Sequence, residues 1–228
     1  MTDSSQIEPP EFTDAYRATK ARVVALLDGA PADDWSRTVP ACPDWTVHDL
    51  LSHMVGIPAE LGAGRYPSGD LAVWLAAVVD TRRGVPVAAL LDEWTVAVDE
   101  AAPMYTANGL LLVDLVVHEH DLRRAIDRPG ARDSAEVARV LPLILGSLAD
   151  ALRAGELGAV VVRDGESTWR SHDAPEGWTI DATPWEATRI LESRRTADEL
   201  RTQFGSHAEP YLAVLGAHLP LPAASLAE

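Results

Sequence analysis

The chain has 228 residues, room for one large domain or one and a half average ones. Its 19 Lys and Arg against 35 Asp and Glu leave a formal charge of −16, which repels phosphate backbones and anionic lipid and excludes nucleic acid as a leading partner. At 47% hydrophobic and 24% charged residues the composition is that of a folded globular protein, and a single cysteine, Cys42, excludes an intrachain disulfide and an all-cysteine metal site.

The first twelve residues, polar and ending in Pro9-Pro10-Glu11-Phe12, read as a loose tail with no basic-then-apolar leader. Thr13 is placed to cap a first helix with Tyr16, Val23, Val24, Leu26 and Leu27 on its apolar side. Gly29 to Cys42 reads as a connection. A second helix starts after Trp45: Thr46 and Asp49 have the spacing of a capping box, Val47, Leu50, Leu51 and Met54 face inward, and Gly56 with Pro58 predicts a break. A third helix is predicted over about Asp70 to Arg83. It contains the longest apolar run, Leu71 to Val79, far too short to cross a bilayer.

Gly84 and Pro86 precede a fourth helix to about Glu100, and Asn108-Gly109 opens a long one that Pro129-Gly130 ends. Ser134 to Arg153 is again helical, with Pro142 predicting a kink or a late start. Beyond Gly155 the pattern changes. Ala159 to Arg163 is β-branched, Asp164-Gly165 signals a hairpin, and Thr168 to Ser171 and Gly177 to Ala182 are extended, so a small antiparallel sheet of about three strands is predicted. Thr183-Pro184-Trp185-Glu186 and Thr196 to Glu199 each open a helix. The expected organisation is a helical domain over 1–155 and a small α+β domain over 156–228.

Two Asp/His pairs share an i, i+4 spacing: Asp49 with His53, and Asp114 with His118. Leu110 to Val117 is apolar except at Asp114, so that segment is predicted to be buried, where an unpaired charge costs several kcal/mol. One solution is a divalent ion held by His53, Asp114 and His118 from facing helices, two nitrogens and one oxygen with a position left open, a set that suits zinc. The other is a hydrogen-bonded polar network in which His118 bonds Asp114 or Asp121. Asp49 reads as a cap rather than a ligand. Asp121 reads as a support for a histidine, or as a partner of Arg124 or Arg128. Cys42 reads as packing, since spacing places no base beside it.

Residues 42 to 53, Cys-Pro-Asp-Trp-Thr-Val-His-Asp-Leu-Leu-Ser-His, resemble the W-T-V…D-L-x-x-H signature of DinB-like metal-binding bundles. Within these the resemblance is to the actinobacterial branch of the mycothiol-dependent maleylpyruvate isomerase family. Residues 114 to 126 resemble that branch's second metal segment. Residues 185 to 196 are similar to its W-E-x-x-R-x-x-x-G-R-R-S stretch, with Ser193 in place of Gly. The resemblance implies a mainly α fold, a DinB-like four-helix bundle followed by a small α+β domain. It also implies a divalent metal, usually zinc, on His53, the acid at 114 and His118; the namesake isomerase has Glu where this chain has Asp114.

A metal-bound low-molecular-weight thiol, mycothiol by resemblance, would then attack a small electrophilic substrate, giving an isomerase or a transferase. Arg194, or failing that Arg195, is the candidate to hold a substrate carboxylate, against the bland reading of a pair with Glu192 or Asp198. A non-catalytic metal- or ligand-binding regulator on the same scaffold is the alternative. A cytoplasmic monomer or dimer, without nucleic-acid or membrane partners, is expected.

Overall fold

A computed structural model describes residues 9–107 and 109–228. They fall into two compact units, Met1–Gly130 and Ala131–Glu228. The first contains α1 (Pro9–Leu27), a 3-10 turn (Ala32–Ser36), a hairpin of β1 (Thr38–Val39) and β2 (Cys42–Thr46), then α2 (Val47–Gly62), α3 (Leu71–Asp80), α4 (Val87–Glu100), α5 (Ala102–Ala107) and α6 (Leu110–Ala125). Helix α1 starts four residues before Thr13, because prolines are tolerated in a first turn whose N–H groups have no helical partner. The rest of the expected tail, residues 1–8, and Asn108 lie outside the described residues.

Helices α1, α4, α2 and α6 form a ring in which each packs on the next, the four-helix bundle. Its interior is filled by Leu50, Leu51, Met54, Leu90, Trp94, Leu112, Leu115 and Leu122, all essentially without exposure. Trp94 Nε1 donates to Tyr16 Oη at 3.3 Å, so the one polar atom of that indole is satisfied. The expected break at Gly56 and Pro58 does not occur. Every residue from Val47 to Pro58 except His48 is buried, and that packing outweighs the hydrogen bond Pro58 removes. Gly56 serves close approach instead: a Cβ there would lie 2.3 Å from Val78 Cγ1 on α3.

Glu119 on α6 has no distinguishing spacing in the sequence. It is fully buried between Arg22 of α1 and Arg123, each guanidinium at 2.9 Å, and so ties α1 to α6. Helix α3 leaves Leu71 and Val73 exposed.

The second unit contains α7 (Ala135–Ala154), β3 (Ala159–Asp164), β4 (Ser167–Arg170), β5 (Glu176–Asp181), α8 (Pro184–Leu191), α9 (Ala197–Phe204) and α10 (Glu209–His218). Helix α7 packs on α8, α10, β3 and β4, so it falls in this unit rather than before a boundary at 155. Its apolar stripe, from Val137 through Leu141 and Leu145 to Leu152, demands a partner, but the 3.6-residue period does not say which. The strand order is β4-β3-β5. β4 pairs antiparallel with β3 through the Gly165 turn, as expected, but β5 runs parallel to β3 on its other edge. The sheet is mixed, because alternation along a strand reports which face is buried and not the direction of the neighbour. No described helix is long and apolar enough to cross a membrane.

Candidate metal centre

The β1–β2 hairpin, absent from the expected connection, delivers the chain directly into α2. Thr46 ends β2 and caps α2: its Oγ1 accepts from Asp49 N at 3.1 Å, and its own N–H donates to Asp49 Oδ2 at 3.0 Å. Asp49 also takes Arg83 at 3.2 Å. It is therefore spent on the cap, and the Asp49/His53 pair is not a ligand pair. Seven residues after the cap, His53 points into the bundle, only 3% exposed, with its ring centroid 4.8 Å from that of Trp45. Its Nδ1 is buried without a hydrogen-bond partner, so the ring is placed by packing and by Nε2.

Facing it, α6 presents Asp114 and His118 one turn apart. Asp114 Oδ1 lies 3.2 Å from His53 Nε2 and 3.4 Å from His118 Nε2, and the two imidazoles meet edge to face at 4.9 Å. Two ligands at 2.0–2.1 Å from a tetrahedral ion stand about 3.3 Å apart. Both separations from Asp114 match neighbouring ligands of a zinc-like ion, and the three ligand atoms lie within 4.8 Å of one another. Asp114 differs from expectation in keeping 33% of its side chain exposed, which gives the cluster an open side. Leu110, at the start of the same segment, is also exposed.

The electrostatics match this picture. Burial pushes Asp114 up, but the imidazoles of His53 and His118 outweigh it and hold the carboxyl well below the usual carboxylate range. Burial opposes charge on His118, yet Asp114 and Asp121 together push it up to about 9. Behind His118, Nδ1 lies 2.9 Å from Asp121 Oδ2, and Asp121 is 1% exposed. A carboxylate on the far nitrogen fixes which tautomer faces the cluster.

Cys42 enters here as well. Its Sγ and ligand atoms of His118 and Asp121 all lie within 4.8 Å of one another. Spacing along the chain could not show this, because the hairpin, whose strand β1 packs on α6, brings Cys42 there. Arg194 belongs to the second unit, 8% exposed, and its guanidinium donates to the Glu192 carbonyl at 2.5 Å. Arg195 pairs with Glu186 at 2.8 Å and with Glu228 at 2.7 Å.

A ring of four helices whose facing members bring two imidazoles and a carboxylate to one point has the features of a DinB-like bundle. More particularly, residues 16–123 match the family model of the mycothiol maleylpyruvate isomerase N-terminal domain, so this stretch of the chain is similar to that domain. No curated protein and no solved structure shows significant similarity to the chain.

Proposed function

We propose that the protein is a metal-dependent enzyme that uses a low-molecular-weight thiol, mycothiol by family, to isomerise or conjugate a small electrophilic substrate. The observation that carries this reading is the convergence of His53 Nε2, Asp114 Oδ1 and His118 Nε2 at separations of 3.2 and 3.4 Å. A divalent ion bound there, most simply zinc, supplies positive charge that stabilises a thiolate or hydroxide at its open position.

The residues of the chain do the rest. His53 and His118 present Nε2 lone pairs. Asp121 holds the proton on His118 Nδ1, and Asp114 supplies the one negative charge in the ligand set. Trp45 walls the His53 side, and the exposed side of Asp114 is where a small ligand enters. In this reading Arg194 holds a substrate carboxylate, a role that requires its guanidinium to leave the Glu192 carbonyl.

The alternative, a non-catalytic metal- or ligand-binding regulator, is favoured by the same cluster closing on itself through hydrogen bonds when His118 is protonated. Metal content and thiol-dependent turnover separate the two. Purified protein is expected to retain close to one zinc per chain. It is then expected to turn over members of a panel of electrophiles faster with mycothiol than with glutathione or with water alone. A folded protein that takes up neither zinc nor nickel would remove the enzyme reading.

A further inference from the structure

In the second unit, a fully buried guanidinium, Arg189 on α8, forks onto the carboxylate of Glu228. Nε lies 2.9 Å from Oε2, and a second nitrogen contacts Oε1. Arg195 joins the same Oε2 at 2.7 Å. The side chains of Arg189, Arg195 and Glu228 are 0%, 12% and 3% exposed. One guanidinium fork and a single bond from a second guanidinium on one carboxylate is a geometry with which proteins recognise carboxylate ligands.

The segment that brings Glu228 there is unlike a permanent tether. Residues 220–228 form no helix or strand. Side chains fasten the segment: Leu226 is buried, Ser225 Oγ donates to Glu199 at 2.5 Å, and Ser193 Oγ donates to the Leu219 carbonyl at 2.8 Å. Ala227, immediately before Glu228, has a φ of 50°, in the left-handed region that a residue with a Cβ disfavours. Apolar residues of equal volume would fasten such a segment without withdrawing a guanidinium from water. Arg195 also has Glu186 as a partner, at 2.8 Å, so it stays paired when Glu228 leaves.

We propose that Arg189 and Arg195 form a binding site for the carboxylate of a small ligand, and that Glu228 is an internal occupant which such a ligand displaces, releasing segment 219–228. This assignment lies within the second unit and does not rest on the metal reading. The indole of Trp185, 5.8 Å from the Arg195 guanidinium, is a built-in reporter.

The test uses the full chain and propionate, which reproduces the glutamate side chain. Glu228→Ala, with its fold checked by circular dichroism, is titrated with sodium propionate against sodium chloride at equal ionic strength. Tryptophan fluorescence and the thermal midpoint are read. Saturable binding at least tenfold tighter than in the wild type, where Glu228 competes, is expected. In the wild type, propionate at concentrations that occupy the site is expected to speed amide hydrogen exchange in residues 220–228. If the variant binds propionate no better than the wild type, the pair is a tether and the proposal falls. If wild-type exchange in that segment is unchanged by bound propionate, the displacement half falls. Should Glu228→Ala fail to fold, Glu228→Gln, which keeps the shape and removes the charge, replaces it in the same titration. Binding no tighter than in the wild type would again overturn the site.

Discussion

His118 divides its two ring nitrogens between two carboxylates: Nε2 stands 3.4 Å from Asp114 Oδ1, and Nδ1 stands 2.9 Å from Asp121 Oδ2. The buried Asp121 thereby decides which nitrogen is free to act as a ligand. Asp121→Asn keeps the shape and removes the charge, and is expected to weaken zinc binding roughly 10–100-fold. His53→Ala and His118→Ala should each abolish metal retention. Competition against a chromogenic chelator measures all three, and unchanged metal content in both histidine variants would show that the ligand set is misassigned.

Proton release reports the same site. Without metal, His118 stays protonated up to about pH 9, against an ordinary value of 6.5. A raised value contributes stability that is fully present below 6.5 and is lost as pH rises through about 9. Coordination requires the neutral ring, so zinc uptake at neutral pH is expected to release about one proton. A weakly buffered indicator titration reads it. Uptake with no proton released at pH 7 would mean that His118 is already neutral.

The start of α2 rests on the Thr46–Asp49 box, which also sets the entry of His53 into the bundle. Thr46→Ala is expected to cost about 1 kcal/mol in urea unfolding at pH 7. Burial raises the Asp49 carboxyl, but the Thr46 N–H and hydroxyl and Arg83 outweigh it and hold it below 3.8. The stabilisation is therefore present above pH 3.8 and lost as pH falls through the lowered value. Thr46→Ala should flatten that acid limb. An acid limb identical to that of the wild type would mean that the box contributes nothing.

At Gly56 the bundle has no room for a methyl group. Gly56→Ala places Cβ against Val78 Cγ1 and the Arg82 guanidinium, and a loss of about 1–3 kcal/mol is expected. Combining it with Val78→Ala should give a total smaller than the sum of the single losses. Additive losses in that double-mutant cycle would place the cost elsewhere.

Local chemistry was legible along the chain. Thr46 with Asp49, Thr183 with Pro184 and Thr196 with Glu199 each start a helix where their spacing says, because a cap is satisfied within four residues. The Gly165 turn joins β3 to β4 for the same reason. His53, Asp114 and His118 could be suggested as a set because one pair is separated by a single helical turn. Their meeting across α2 and α6 could not be computed from spacing.

What only the tertiary structure decided are the relationships between segments distant in sequence: the parallel seat of β5, the placement of α7 in the second unit, Cys42 beside His118, and Glu228 in the grip of Arg189. Charge falls on the same divide. A total of −16 over 228 residues comes from summing charges, and a sum is blind to position. Position decides that Glu119 and Glu228 are buried against arginines, because a buried charge persists only where packing brings it a partner.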